Sequence, residues 1–524
     1  MKAWWFPLLF ATLYANAQFD STAYKLAQTI QASTLHDHVF TLASPEYEGR
    51  ETGKPGNFKA ALYIQNQFKA DGIPTIAGDT NYFQEVSFSS IKWSSISLEV
   101  AGVEMVHMRD FVSNPQLFPA NVESLDITSL LFLGYGIDDP AYSDYAGVDV
   151  KGKNVVIYNR EPQGADGIYK ITGTNLPSSW TGDVMKKIEL AKAKGVASLW
   201  IIDNQFKERV VKVKMAVAGG QTLMKDPQEV LSGQIPVVFV PVLQQERLLG
   251  KKYKKVEKLK NKIDKSGKPY RATLPTDVHW KGVHDIQTTK SANVMAYIEG
   301  TDPMMKNELV VVSAHFDHLG VRGKEIYFGA DDNASGTSAV LEIAQAMSIA
   351  KARGVGPKRS VLCILMTGEE KGLLGSQYYT EHPVFPLANT VADVNIDMIG
   401  RLDEKHKEGN YTYVIGSDRL STDLHKINEA ANNTYTHLQL DYTFNADDDP
   451  NRFYYRSDHY NFAKNGIPAI FFFSGVHDDY HRPTDTPDKI MFDKAVTIAQ
   501  LAFYTAWELA NRDERIKVDV VGRN

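Results

Sequence analysis

The sequence predicts an α/β protein built on a mixed, mostly parallel sheet covered by helices on both faces, with a smaller β-rich domain inserted into it. Three observations lead there. From Ser291 onward, short apolar runs alternate with helical segments. The runs are continuously apolar (ANVMAYIEG, ELVVVSAHFD, SVLCILMTGE, VADVNIDMIG, PAIFFFSG), as in strands buried on both faces. The chain has 524 residues, more than one core usually supports, and its texture changes between residues 120 and 275.

At the N-terminus Lys2 precedes the apolar run Ala3 to Tyr14, followed by Ala15, Asn16 and Ala17. This is the shape of an export signal cleaved after Ala17, since the run is shorter than the roughly 20 residues of a spanning helix. No Cys for lipid attachment lies near it, and no later apolar stretch is long enough to cross a bilayer. The expected mature protein is secreted or periplasmic, with no stable membrane anchor.

Ser21 to Leu42 reads as helical, EGRETGKPG as a loop and Asn57 to Gly72 as an amphipathic helix. These begin a domain expected to span residues 18–119 and 276–524. Residues 120–275 are expected to form the insert, with strands in LLFLGYGI, GVDVKGKNVVIYNR and GQIPVVFVPV and a helix in KKIELAKAKGVASLWIID. The lysine-rich stretch Lys251 to Lys268 reads as a solvated helix over the stripe Val256, Leu259 and Ile263. A net charge of -6 and a pI near 6.2 give no sign of a nucleic-acid partner. The single cysteine, Cys363, lies among strand hydrophobes and reads as core filling, and one Cys leaves no internal disulfide.

In open α/β sheets binding groups gather at the carboxyl ends of strands, where this chain carries His, Asp and Glu. His315 ends one strand, and Asp317, pointing to the same side, is a partner to fix its tautomer. Asp331 lies on a glycine-bounded loop. Glu369 and Glu370 end a strand facing opposite ways, so one can bind metal while the other reaches a water. Asp397 and His481 complete a set of two histidine and three carboxylate ligands plus one base, which suits a catalytic zinc pair. Singly, each acidic residue reads as a cap or turn, and Asp332, Asn333 and Ser335 are typical cap chemistry before a helix near Thr337. His318, His459 and His477 read as satisfied or supporting histidines. Asp447 to Asp449 reads as a solvated loop with at most weak calcium affinity.

With EGRETG, NVMAYIEG, SAHFDHLG, GADDNASG, TGEEKGLLGS, NIDMIG, RSDHYNFAKNGIPA and YHRPTDT, the chain resembles the co-catalytic zinc aminopeptidases, which include bacterial leucyl aminopeptidase, aminopeptidase Y and glutamate carboxypeptidase II. The resemblance implies two zinc ions per chain. Asp331 would bridge them, His315 and Asp397 would complete one, Glu370 and His481 the other, and Glu369 would be the general base. It further implies oxyanion stabilisation by Tyr480, a cis bond between Asp331 and Asp332, and a protease-associated domain as the insert. The expected function is removal of N-terminal residues from peptides. The alternatives are a carboxypeptidase or dipeptidase using Arg452 and Arg456 for a substrate carboxylate, a one-zinc glutaminyl cyclase, and a non-enzymatic binding protein.

Overall fold

The computed structural model describes residues 19–76, 81–218 and 221–522. The expected export signal, residues 1–17, lies outside them. The chain divides into two units, Met1–Ser87 with Lys290–Asn524, and Phe88–Thr289. The limits expected at residues 120 and 275 therefore differ from those observed, and the reason is local. Strand β1 (Phe83–Val100) and a later strand of 28 residues (Arg271–Ile298) both run through a division point, so neither limit falls in a loop.

The first unit opens with helices α1 (Ser21–Ala27), α2 (Ala32–Leu42) and α3 (Pro55–Ala70). The single helix expected over Ser21 to Leu42 is two. Asp20 caps the first through the N–H groups of Thr22 and Ala23, and Gln31 is extended before the second. In the second unit, β2 (Ser124–Leu133), β3 (Asn154–Tyr158), β4 (Ser198–Asp203) and β5 (Val237–Pro241) pair in that order, all in parallel. Helix α4 (Val184–Ala193) precedes β4, and α5 (Tyr253–Ser266) carries the lysines with Val256 and Ile263 buried beneath them. Strand β6 (Arg271–Ile298) pairs antiparallel with β2 through its first part.

Back in the first unit, the last residues of β6, Val294–Ile298, pair antiparallel with β8 (Ser360–Met366). Strand β7 (Leu309–His315) lies between β8 and β9 (Thr390–Ile396), parallel to both. The sheet continues through β12 (Ala469–Phe473), parallel to β9, to β10 (Tyr411–Ile415) and β11 (Gln439–Asp441), with only the β10 to β12 pairing antiparallel on this side. Alternation along β7 shows both faces are covered. Val310, Val312 and Ala314 pack in one core with Val340, Leu341 and Phe503, whereas Leu309 and Val311 pack in another with Tyr379 and Phe462. Helices α6 (Gly336–Ala352) and α9 (Phe492–Asn511) supply the first layer; α7 (Leu374–Glu381) contributes to the second, and α8 (Thr422–Ala431) follows β10. Cys363 in β8 is fully buried and unpaired, and burial pushes its thiol pKa up. Among the described residues no helix is long and apolar enough to cross a membrane.

Candidate metal centre

Strands β7, β8 and β9 are parallel and adjacent, so their carboxyl ends deliver His315, the Thr367–Glu370 turn and Asp397 to one place. His315 Nε2 lies 3.4 Å from Asp332 Oδ1 and 3.4 Å from Asp397 Oδ1. The other oxygen of Asp332 lies 3.1 Å from His481 Nε2, which is itself 3.3 Å from Glu370 Oε1. Asp332 thus stands between two groups, His315 with Asp397 and His481 with Glu370.

This corrects the expectation for Asp331. Its carboxylate accepts the Gly400 N–H at 2.6 Å and lies 3.4 Å from His477 Nε2, and it belongs to neither donor group. The cis peptide bond is displaced by the same single residue, to Asp332–Asn333. Of the three residues read as cap chemistry, Asn333 caps α6 by accepting the Gly336 N–H at 2.9 Å and Ser335 donates to the Asp331 carbonyl, while Asp332 points into the site. Gly329 opens this loop with φ +58, and a Cβ there would meet the Asp332 carbonyl oxygen at 2.2 Å and the His318 ring at 2.5 Å.

Asp317 also acts otherwise than expected. Its main-chain carbonyl, at 3.1 Å, faces His315 Nδ1, while its carboxylate is 3.8 Å away. The carboxylate instead accepts the Glu369 N–H at 3.1 Å and the Thr52 hydroxyl at 2.6 Å, so it fixes the turn that presents Glu369. Asp397 is oriented by the Ser457 hydroxyl, which donates to its Oδ2 at 2.7 Å.

Sequence reasoning passed over two contributors, Arg50 and Asp485, and read a third, His318, only as a satisfied or supporting histidine. His318 is fully buried, with Nδ1 2.9 Å from Glu370 Oε1 and 3.7 Å from Asp332 Oδ2. Arg50, from the EGRETG loop and also fully buried, donates to the carbonyls of Leu42, Phe316, Phe328 and Gly329 and so clamps the segments either side of the site. Asp485 accepts backbone N–H groups from the Asp331–Asp332 turn. The spacing of EGRETG and of YHRPTDT from the strand ends carries no signal of these contacts. Only the long-range fold reveals them.

The electrostatics follow from crowding carboxylates in a buried site. Burial lowers the His315 imidazole, but Asp397, Glu369 and Asp332 outweigh it and hold its pKa well above the ordinary value. For His481 burial acts downward and the bonds to Asp332 and Glu370 upward, to about 10. Burial pushes Asp332 up, yet His318, His315 and His481 pull it well below its usual range. Glu369 is raised, chiefly by burial and further by Glu370, Asp397 and Asp458. The site calls for positive charge.

Two observations test whether metal ions suit these residues. Donor atoms about 2.1 Å from a tetrahedral ion stand about 3.4 Å apart, and the separations of 3.1 to 3.4 Å within each group agree with this. Asp397 Oδ1, Glu370 Oε1 and both ring nitrogens of His318 are buried, and although Glu370 Oε1 and His318 Nδ1 stand 2.9 Å apart, none of these atoms makes an aligned hydrogen bond, which is costly unless a ligand completes them. Two donor groups that can hold an ion are His315, Asp332 and Asp397, and His318, Asp332 and Glu370. Beside them a pocket is walled by Met398, Phe453, Phe471, Phe473 and Val476, with Glu369, Tyr480 and Arg456 also lining it.

The sequence model of Peptidase family M28 matches residues 293–506. A probable leucine aminopeptidase of Arthroderma otae is 32% identical over 228 residues, covering 42% of this chain and 58% of that protein. Aminopeptidase YwaD of Bacillus subtilis is 27% identical over 217 residues, covering 40% of this chain and 43% of the relative. The chain thus spans about half the length of these curated relatives. Among solved structures, the aminopeptidase from Aneurinibacillus sp. strain AM-1 superposes with a TM-score of 0.51 at 20% identity, covering 95% of this chain and 98% of the other, which shows a shared α/β fold. The donors from His315 to His481 all lie within residues 293–506, the segment of this chain that matches peptidase family M28.

Proposed function

We propose that the chain is an exported zinc-dependent aminopeptidase that hydrolyses N-terminal residues from peptides and holds two zinc ions. One observation carries this reading: a single carboxylate, Asp332, faces a histidine and carboxylate on each side, while Glu369 remains outside both groups and faces the pocket. His315, Asp332 and Asp397 would hold one ion; Asp332, Glu370 and His481, with His318 behind Glu370, would hold the other. Bound there, divalent cations supply Lewis acidity that polarises a carbonyl and makes water more acidic.

The remaining chemistry belongs to the protein. Glu369 lines the pocket and belongs to neither donor group, so its carboxylate takes the proton of the attacking water and returns it to the departing amine. The carboxylates attract the substrate's free amino terminus, and Met398, Phe453, Phe471 and Phe473 offer an apolar wall to its first side chain. Residues 88–289 fit a protease-associated-like module without chemistry of its own: among the described residues, the two donor groups and His481 all lie outside it. The pattern Lys2 to Ala17 supports export.

The test is hydrolysis of peptides free or acetylated at the amino end and free or amidated at the carboxyl end, with metal content measured on the same sample. Cleavage that needs the free amino end and accompanies two zincs per chain is expected. The presence of Arg456 beside the pocket favours a second reading, a carboxypeptidase or dipeptidase. Cleavage that needs a free carboxylate would replace the first reading with that one.

A further inference from the structure

We propose that Arg456 is a positioning residue that turns the Tyr480 hydroxyl proton into the pocket, so that Tyr480 donates a hydrogen bond to the oxygen of the scissile carbonyl. The inference rests on the aminopeptidase reading. Arg456 Nη2 donates to the Tyr480 oxygen at 3.2 Å. A guanidinium has donors and no acceptor, so the phenol oxygen must be the acceptor and its own proton is left for another partner. Among the described residues no acceptor takes that proton, and the side chain lines the same pocket as Glu369 and His481.

Tyr480 is held from several sides. Its ring stacks on His481 with centroids 3.9 Å apart, and its N–H donates to the His477 carbonyl at 3.0 Å. The preceding residue, Asp479, is tied to Arg401 at 2.9 Å and to Lys489 at 3.0 Å. The guanidinium of Arg456 lies 4.7 Å from the centre of the buried Phe453 ring, which fixes its own direction. A cation against the phenol oxygen makes the O–H a stronger donor, and a donor aimed where negative charge develops favours the transition state over the ground state. The effect therefore belongs in kcat rather than in KM.

The experiment uses the zinc-loaded full chain and leucine p-nitroanilide, a substrate with no carboxylate. Arg456→Met is expected to lower kcat about 10- to 100-fold with KM little changed. In a Tyr480→Phe background the same substitution should cost little more, and Arg456→Lys should recover part of the loss. A second readout needs no turnover: in calorimetry on the zinc-loaded chain, Arg456→Met should weaken binding of a leucine phosphonate, whose tetrahedral oxyanion mimics the transition state, about 10-fold, while leucine itself binds as before.

With an active wild type, undiminished kcat in Arg456→Met, equal losses in both backgrounds, or undiminished phosphonate binding overturns the proposal. A loss appearing only as raised KM for peptides with a free carboxylate also overturns it, and makes Arg456 a carboxylate receptor. A wild type inert with two zincs bound overturns the aminopeptidase reading itself, and this inference with it.

Discussion

Asp485 accepts two consecutive backbone amides, the Asp331 N–H at 3.0 Å and the Asp332 N–H at 3.2 Å. The carboxylate that faces both donor groups is thus aimed by another carboxylate 153 residues away along the chain. Asp485→Ala leaves two buried N–H groups unpaired, which costs about 1–3 kcal/mol each. Urea denaturation should show a drop of that order, and dialysed protein should retain less zinc than wild type.

The assignment of Asp332 over Asp331 is tested by a matched pair. Asp332→Asn should reduce zinc retention at both positions and lower activity by more than about 100-fold. Asp331→Asn, whose side chain faces Gly400 and His477, should retain most of its zinc. Metal content after dialysis decides, and the reverse order would restore Asp331 as the shared carboxylate.

Glu369→Gln should lower kcat about 100- to 10,000-fold with zinc content unchanged, because Glu369 belongs to neither donor group. Full activity in that variant would remove Glu369 from the role of base.

Arg50 makes four hydrogen bonds to carbonyls while fully buried. Arg50→Met strands those oxygens, and a loss of about 3 kcal/mol or more is expected in chemical denaturation. The same variant should lose zinc more readily, because the clamped carbonyls of Phe316 and Gly329 flank His315 and Asp332.

His459 gives a pH dependence separate from the metal residues. Burial, reinforced by Arg419, pushes its pKa from 6.5 down to about 3. Below about pH 6.5 the unfolded chain takes up a proton that the folded imidazole refuses, so the folded state loses stability as pH falls from 6.5 toward 3. The ring packs against Phe471 and Tyr454, and His459→Phe keeps an aromatic ring there. That variant should flatten the stability profile in this window by roughly 1 kcal/mol or more, measured by urea unfolding at pH 4, 5 and 7.

The strand ends were legible because period and polarity change together there: His315 closes a run of six apolar or small residues, and Asp397 closes VADVNI. Adjacent acids in a loop have no such period. Whether Asp331 or Asp332 enters the site depends on backbone angles set by Asp485 and Gly400, distant in sequence. Arg50 and Asp485 were opaque for a similar reason, since a buried polar residue announces itself only through partners brought by the fold. The division of the chain was blurred because β1 and β6 continue through it as regular strands, without the turn residues that mark a boundary.

Cys363 lies at 0% exposure in the middle of a sheet that is covered on both faces. A thiol so placed is protected from alkylating reagents until β8 separates from its neighbours. Being the chain's single thiol, it makes the protein its own unfolding probe: the rate of labelling at increasing urea reports how often the central strands part, with no engineered reporter and no loss of native side chains.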